Sequence, residues 1–451
     1  MEILKNLGDG LVLRRTTQAD TDALVKLQIH AFANPDTGEL DEYIGGWTRD
    51  LMSGKHPTFH PDDYFVVEDT KTNALVSCVC LISQTWTMDG ISFGVGRPEI
   101  VGTLPEYRNR GLVREQFRAL HELSAQRGEL VQGITGIPYY YRQFGYEYAL
   151  DLVAQRQTLV PQQIPELKAG EVEKFSLRRA TRDDLSFIAE LYSCSRARSY
   201  IHCERDEKMF EYENFLANDP FDGSASWWDV IETTAGERAG ILMHRRYVYG
   251  GRNRSFCYEL LPQFAWAEVT PFVLRELVRQ AQGYENQDQK PLSSLHWILA
   301  PNHPLYELMG DYTTLFSSPT NRPYAWYMRV PELPALVKHL APLFEKRLAQ
   351  SNLQGLSDAL RLNFFKSGLE IIFENGKIKT AQHWRASAQD NGQGGFGNAS
   401  FPDLTFLKLL FGYCSLKELE AMFPDYMVDT ERNSALLNIL FPKRDSHVMP
   451  I

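Results

Sequence analysis

The chain has 451 residues, a formal net charge of −10, and 43% hydrophobic and 23% charged residues. This length exceeds one ordinary core and indicates two or three domains, and the negative charge argues against nucleic acid as the main partner. No run of eighteen apolar residues occurs, so we expect neither a membrane span nor a membrane partner.

The N-terminus lacks the pattern of a signal peptide. The six cysteines show no CxxC spacing. This favours reduced thiols in the cytoplasm and argues against a metal site.

The first hundred residues predict a strand–helix pair followed by a long β-hairpin. Apolar alternation and capping residues mark the strand and the helix, and an Asp-Gly pair marks a tight turn. The predicted elements are a strand at Leu11–Arg15, a helix from about Thr21 to Phe32, a strand at Leu75–Trp86, the turn at Asp89-Gly90 and a return strand from about Ile91 to Leu104.

A helix is expected after the return strand. Pro105 ends that strand because proline cannot donate a ladder hydrogen bond. Apolar residues at helical spacing begin at Val113, and Gly128 is the predicted end of the helix.

Positive charge is concentrated where this strand gives way to the helix. Arg108, Arg110 and Arg114 surround Gly111 in the stretch VGTLPEYRNRGLVR. Arginines at a helix start oppose the helix dipole, which prefers anions there. A pyrophosphate would explain them, because free backbone N–H groups would point at it and glycine would let it approach. The alternative is an amphipathic helix with a solvated basic first turn.

Two segments of the chain resemble each other. The pattern L-R-R-x-T-x-x-D occurs at Leu11 and again at Phe175, 164 residues later, and YRQFGY at Tyr141 is echoed by YELMGD at Tyr306, 165 residues later. We interpret this as two copies of one α/β unit. The second copy has Phe264-Ala265-Trp266 where the first has its Arg-x-x-Gly element, so we expect only the first to bind the ligand.

The strand–Pro-x-Tyr-Arg-x-Arg-Gly–helix element resembles the acetyl-CoA pyrophosphate motif of the GNAT superfamily of N-acetyltransferases. The stretch YYYRQFGYE resembles the motif that follows it. Two such units and a third domain resemble the Eis-type (enhanced intracellular survival) acetyltransferases, whose third domain is similar to sterol carrier proteins. One departure is Val113, where the superfamily has glycine or alanine.

The resemblance implies an α/β (α+β) fold of two tandem GNAT-like mixed-sheet units and a sterol-carrier-like α/β C-terminal domain. The predicted boundaries are 1–156 for the catalytic unit, 157–174 for a linker, 175–322 for a degenerate second unit and 323–451 for the third domain. In the third domain we expect one helix at Glu332–Gln350, strands that fold at Asn375-Gly376, and two further helices.

The resemblance also implies acetyl-CoA as the cofactor and transfer of its acetyl group to an amine by direct attack on the thioester. The acceptor would be a cationic small molecule, such as an aminoglycoside or polyamine, or a lysine side chain of a peptide. It further implies a homo-oligomer, a hexamer or trimer. The alternatives are a non-catalytic acyl-CoA-binding sensor and a lipid-binding carrier that acts through the third domain.

Cofactor contacts follow from the same resemblance. The strand Val101–Thr103 would pair with the pantetheine arm, and a backbone N–H there would donate to the oxyanion. The expected cofactor-binding residues are Val101, Gly102, Thr103, Arg108, Asn109, Arg110, Gly111, Leu112, Val113, Arg114, Gly136 and Ile137.

The resemblance implies Tyr141 as the general acid, since it aligns with the family's tyrosine in the Tyr-x-x-Phe-Gly-Tyr motif, and a phenol with a pKa near 10 is protonated at pH 7. The alternative is a packed aromatic side chain. In Eis-type enzymes the C-terminal carboxylate reaches the active site, so the resemblance implies that of Ile451 as the general base, with a water chain to a carboxylate or to His30 as the alternative. Phe32 and Trp47 are expected to line the acceptor pocket.

An acidic loop precedes the predicted pocket residue Trp47. Asp36, Glu39 and Asp41 would attract a cationic acceptor, and a solvated loop is the alternative interpretation.

Overall fold

A computed structural model describes residues 3–152, 156–159, 164, 166–217, 219, 226–286, 290–310, 313–315, 325–386 and 396–449. The strands are β1 (Ile3–Gly8), β2 (Leu11–Arg15), β3 (Tyr64–Asp69), β4 (Ala74–Met88), β5 (Ile91–Thr103), β6 (Val131–Ile134), β7 (Glu147–Asp151), β8 (Arg156–Leu159), β9 (Phe175–Arg179), β10 (Ile201–Cys203), β11 (Ser226–Thr233), β12 (Arg238–Arg245), β13 (Tyr247–Val248), β14 (Arg252–Leu260), β15 (Glu285–Asn286), β16 (Ser294–Trp297), β17 (Thr313–Leu315), β18 (Ala325–Arg329), β19 (Asp358–Asn363), β20 (Gly368–Glu374), β21 (Lys377–His383), β22 (Ala399–Ser400) and β23 (Met427–Val428).

The helices within the described ranges are α1 (Thr21–Ala31), α2 (Glu42–Met52), α3 (Leu112–Gln126), α4 (Leu185–Arg196), α5 (Glu207–Glu211), α6 (Trp266–Gln282), α7 (Pro304–Met309), α8 (Leu333–His339), α9 (Ala341–Ala349), α10 (Phe406–Leu410), α11 (Leu416–Met422) and α12 (Glu431–Leu440). A π-helix follows α5 at Tyr212–Leu216. None of the helices in the described part of the chain combines the length and the apolar character needed to cross a membrane. The expected mixed α/β fold class is confirmed.

The first sheet has the strand order β1-β2-β3-β4-β5-β6-β18-β7, and β10 pairs with the end of β4. Alternate residues of the central strands face opposite sides, so two cores form. Helices α1 and α2 pack on one face, and α3 packs on the other. The predicted hairpin is present, with Asp89 and Gly90 both at positive φ between β4 and β5.

The second sheet has the order β17-β8-β16-β14-β12-β11-β9, and it shares a side-chain pattern with the first. In the first sheet, Arg14 pairs with Asp20 at 2.7 Å and with Glu68 at 2.5 Å. In the second sheet the same triad is formed by residues 164 positions later, Arg178, Asp184 and Glu232. Arg178 pairs with Asp184 at 2.7 Å and with Glu232 at 2.7 Å.

Two strands pair outside their own part of the chain. β18 follows the second sheet in sequence but lies between β6 and β7 of the first. β8 follows the first sheet in sequence but lies between β16 and β17 of the second. Each sheet therefore contains one strand that follows the other sheet in sequence. The pairings of β8 and β18 cross the domain boundaries predicted from the sequence, and those boundaries stay predictions.

The third sheet has the order β21-β20-β19-β22-β23, and its hairpin turns at Asn375 and Gly376 as predicted. The expected single helix at Glu332–Gln350 is wrong. It is divided at Leu340 into α8 and α9, because Pro342 lacks an N–H and its ring disfavours a continuous helix. Three short helices, α10 to α12, replace the two expected near the end of the chain.

Candidate functional site

The turn at Arg108–Arg114 presents unpaired backbone donors beside positive charge. Asn109 and Gly111 have φ values of 62° and 76°, a left-handed conformation that glycine adopts without strain. Among the described residues, the backbone N–H groups of residues 109 to 113 have no hydrogen-bond acceptor. Successive free N–H groups in such a turn at a helix start form a concave anion site.

The three arginines of this turn are exposed, and none forms an ion pair with a described residue. Arg108 Nε donates to the carbonyl of Thr103 at 3.2 Å, which fixes the turn to the end of β5. The Arg110 guanidinium lies 5.0 Å from the Tyr107 ring. Leu112 is buried against the sheet and Val113 is partly buried, so the departure at Val113 leaves the backbone donors in place.

Strands β5 and β6 separate next to this turn. They pair only at Val95–Val131 and Gly96–Gln132, after which β6 pairs with β18. The remainder of β5, including Val101–Thr103, has no partner on that side among the described strands. The sheet therefore opens a cleft where a ligand can pair with the backbone of β5.

A β-bulge lies in β5 beside this cleft. The pairing of β4 with β5 shifts between Cys78 and Cys80, and Ile100 has a φ of 52°. Positive φ in a β-branched residue is strained, and such strain persists where surrounding packing imposes it, often at functional sites. Nothing in the sequence predicts the bulge.

The predicted pocket residues lie on the α1–α2 side of β5. A side chain at Gly102 would meet the Phe32 ring at 3.1 Å, so Phe32 packs directly on the predicted cofactor strand while staying 37% exposed. Trp47 is partly buried against the cluster that contains Ile100. The structure thus brings Phe32 to the predicted cofactor strand and packs Trp47 on the neighbouring core.

Tyr141 lies on the other side of the cleft, and its side chain is 4% exposed. A Cβ atom at Gly136 would come within 3.1 Å of the Tyr141 hydroxyl, so glycine permits the tyrosine to pack against that backbone. The Tyr141 ring is 5.9 Å from Phe117 on α3 and 5.5 Å from Tyr327 on β18. Ile137 is 60% exposed at the rim.

Ile451, the expected base, lies outside the described residues. The described chain ends at Met449, and the preceding carbonyl of Val448 accepts a hydrogen bond from Trp326 Nε1 at 3.2 Å. The Trp326 ring lies 5.0 Å from the guanidinium of Arg97. Arg97 is on β5, one residue after the last residue of β5 that pairs with β6. His30 is exposed and its Nδ1 lies 2.7 Å from the Lys26 carbonyl of its own helix.

The acidic loop has two roles. Asp41 caps α2 by accepting from the backbone N–H groups of Tyr43 and Ile44, each at 3.1 Å. Asp36 and Glu39 are exposed, and their carboxylates form no ion pair with a described residue. These two remain available to a cationic ligand.

The buried ion pair on β5 was not predicted from the sequence. Arg97 and Glu99 pair on β5, and burial raises the pKa of Glu99 although Arg97 opposes the shift. The signal was present, since two opposite charges interrupt an otherwise apolar strand. Their position beside the bulge makes them additional candidates for the lining of the cleft.

Within the described residues, the second sheet shows no turn of this kind. Its helix α6 begins after Ala265 in extended conformation, without a left-handed turn. The Trp266 ring packs 5.0 Å from His303 and 4.9 Å from Tyr258. Aromatic side chains therefore fill the region where the first sheet has its open cleft.

Comparison with known proteins agrees with this geometry. The family described as Acetyltransferase (GNAT) domain matches residues 12–149, the part of the chain that carries the cleft, the 108–114 turn and Tyr141. This part of the chain is similar to acetyltransferase domains of the GNAT type, and the match supports an N-acetyltransferase. A comparison with curated proteins finds no match.

Solved structures resemble the chain over nearly its whole length. A probable N-acyltransferase from Enterococcus faecalis is 14% identical, with a TM-score of 0.64 over 98% of this chain and 99% of that chain. A GCN5-related N-acetyltransferase from Kribbella flavida is 16% identical, with a TM-score of 0.62 over 97% of each chain. Eis1 from Mycobacterium abscessus is 12% identical, with a TM-score of 0.58 over 96% of this chain and 97% of that chain. At these identities the likeness concerns the fold.

Proposed function

We propose that the chain transfers the acetyl group of acetyl-CoA to the amine of a cationic small molecule or a lysine side chain. The single observation that carries the proposal is the 108–114 turn, where the backbone N–H groups of residues 109–113 are free beside three exposed arginines. A coenzyme A diphosphate is the anion that fits such a turn next to an open strand.

Different residues of the first unit would bind different parts of acetyl-CoA. The turn would hold the diphosphate through Asn109, Arg110, Gly111, Leu112 and Val113, with Arg108 and Arg114 beside it. The open edge of Val101–Thr103 would pair with the pantetheine arm, and Gly136 and Ile137 would line the opposite side. When bound, acetyl-CoA would supply the thioester that the amine attacks.

Proton transfers need two groups of the chain. An ordinary amine with a pKa of about 10.4 is largely protonated at pH 7 and must lose its proton before it attacks. Tyr141 is the proposed acid for the departing thiol, and its position at the Gly136 backbone supports this role. Ile451 stays the proposed base. The path of the 444–449 residues past Trp326 supports this assignment.

The proposed acceptor carries positive charge. Asp36 and Glu39 are exposed carboxylates in the loop that follows Phe32, and Phe32 packs on Gly102. A polyamine, an aminoglycoside or a lysine side chain offers the matching charge. We also propose that the protein is a homo-oligomer, that the second unit is a duplicated scaffold, as the repeated arginine triad suggests, and that the third domain is sterol-carrier-like.

An acetyl-transfer screen tests the proposal. Acetyl-CoA is incubated with the protein and a panel of polyamines, aminoglycosides, lysine peptides and neutral amines, and release of the free thiol is measured. Thiol release that depends on a cationic amine is expected. Binding of coenzyme A without thiol release for any amine would favour the acyl-CoA sensor, and absence of coenzyme A binding would contradict both.

A further inference from the structure

Residues Arg444–Met449 form an extended segment that is held by backbone hydrogen bonds. The segment runs beside β10, which itself pairs with the end of β4. Its bonds are from Tyr200 N–H to the Asp445 carbonyl (2.9 Å), from His447 N–H to the Ile201 carbonyl (3.0 Å) and from Trp326 Nε1 to the Val448 carbonyl (3.2 Å). The segment therefore extends the contacts of the first sheet and leads toward Ile451.

The His447 side chain anchors this segment in the second unit. Its ring adjoins the same small cavity as Phe256 on β14, and its buried Nδ1 has no hydrogen-bond partner in the described part of the chain. A cavity of about 10 Å³ adjoins the ring, with walls from Tyr192, Ser195, Ser199, Phe256 and Met449. This space is close to the smallest that can hold one water molecule.

The two side chains whose charges act on the His447 ring, Arg205 and His202, are positive or neutral. Arg205 is buried, and its Nε and Nη2 atoms find no partner within the described ranges. The carboxylate on this side, Glu213, is already bonded to Arg205 at 3.1 Å and to Trp228 at 3.0 Å. The titratable groups around the ring are Tyr192 and Arg196 on α4, His202 on β10, Arg205, and His303 before α7.

We propose that His447 is a positioning residue whose neutral imidazole seats the 444–449 segment, so that protonation of this ring releases the segment from the second unit. Burial is the main reason that the pKa of His447 is lowered to about 4, and Arg205 and His202 lower it further. The seated state therefore favours the neutral ring. The stability of the seated state is complete above the ordinary histidine pKa of 6.5 and is lost as the pH falls toward 4. The equilibrium constant for seating falls roughly tenfold per pH unit in this range.

The consequence for catalysis rests on the proposed function, because the segment leads to the proposed base Ile451. The seating of the segment does not depend on it. The second unit, whose own cleft is filled, would then contribute to the reaction by holding the residues that approach the first unit's cleft.

Hydrogen exchange with mass spectrometry on the full chain tests the proposal. Peptides that cover 440–451 and 195–205 are followed at pH 6.5 and pH 5, with rates corrected for the intrinsic pH dependence and with β20 as an internal reference. In the wild type we expect protection of the Tyr200 and His447 amides to fall by more than about tenfold between these pH values. In His447→Gln, which keeps an amide donor but does not titrate, protection should change by less than about twofold.

Equal pH dependence in the wild type and in His447→Gln would overturn the proposal. Should the variant not fold, the wild-type profile decides alone, because unchanged protection between pH 6.5 and pH 5 contradicts it. Thiol release at pH 7 is measured in parallel. Protection that depends on pH, without acetyl transfer, would support the seating of the segment and contradict the proposed function. Acetyl transfer with protection that does not change with pH would support the proposed function and contradict the seating.

Discussion

The Nε2 atom of His303 lies 2.8 Å from the backbone carbonyl of Tyr258. Tyr258 stands four residues before Pro262, as Val101 stands four residues before Pro105. The imidazole therefore bonds the strand edge of the second sheet that corresponds to the open edge of the first. A side chain of the chain itself takes the acceptor that a pantetheine arm would need, so we expect this sheet to bind no coenzyme A.

His303 should make the protein sensitive to acid. Its Nδ1 accepts from the Leu305 N–H at 3.1 Å, so both ring nitrogens are used in the neutral form. Burial lowers the pKa of His303 to about 3, so its contribution to stability is present above pH 6.5 and is lost as the pH falls. Between pH 7 and pH 5, the free energy of unfolding measured with urea should fall by about 2 kcal/mol less in His303→Gln than in the wild type.

The control for this prediction is His30→Gln, since His30 is exposed on α1. This variant should follow the wild-type pH dependence. An equally steep loss of unfolding free energy in His303→Gln would show that His303 is not responsible.

Replacing Tyr141 separates the proposed acid from an aromatic that only packs. Tyr141→Phe keeps the ring that packs near Phe117 and Tyr327, so coenzyme A affinity should stay within about twofold. Because the proton for the departing thiol is lost, kcat should fall about 100-fold. The matched control is Tyr146→Phe, which removes a buried hydroxyl that bonds His121 at 2.8 Å. An unchanged kcat in Tyr141→Phe would assign the ring to packing alone.

The exposed acids should govern the choice of acceptor. The double variant Asp36→Asn, Glu39→Gln removes two carboxylates beside Phe32, and KM for a polyamine should rise roughly threefold to tenfold. KM for acetyl-CoA should not change. Asp183→Asn removes an exposed acid from the second unit and serves as the control. Equal KM values for the polyamine in all three proteins would remove the loop from the acceptor site.

Strand β18 should be needed for a working site, although it lies almost two hundred residues beyond Tyr141. Tyr327 is fully buried, stacks on Tyr148 at 3.8 Å and lies 5.5 Å from Tyr141. Tyr327→Ala should cost about 3–5 kcal/mol of unfolding free energy and should also lower kcat, because Tyr141 loses a neighbour. Tyr258→Ala, equally buried in the second sheet, should destabilise the protein with a smaller effect on kcat. Equal kcat losses would contradict a special role for β18.

Local signals in the sequence predicted the elements that border the cleft. The strand at Leu11–Arg15 was confirmed without change, the hairpin turns at Asp89-Gly90, and α3 begins directly after Gly111. These features depend on capping, turn chemistry and periodicity over a few residues, which a single sequence displays.

Features set by distant contacts were not predictable. The exchange of β8 and β18 depends on which of several short apolar strands meet in three dimensions, and their spacing in sequence carries no such information. The positive φ of Ile100 has no local signal either, because isoleucine disfavours that conformation. The break at Leu340 was predictable in principle from Pro342, whose effect the apolar periodicity obscured.

Glycine substitution isolates the 108–114 turn from general stability. Gly111 and Gly128 lie at opposite ends of α3 with φ values of 76° and 71°, and neither has an atom within 4 Å of an added Cβ. Alanine at either site should cost about 1 kcal/mol of unfolding free energy, because both positions are left-handed. The two variants thus share one conformational cost, and only Gly111 lies in the turn that is proposed to bind the diphosphate.

Titration calorimetry with coenzyme A is the most direct test of that turn. We expect the wild type and Gly128→Ala to bind one equivalent per chain with the same affinity, and Gly111→Ala to bind at least about tenfold more weakly. No heat of binding in the wild type, or equal affinity in all three proteins, would contradict the account of the 108–114 turn as the coenzyme A site.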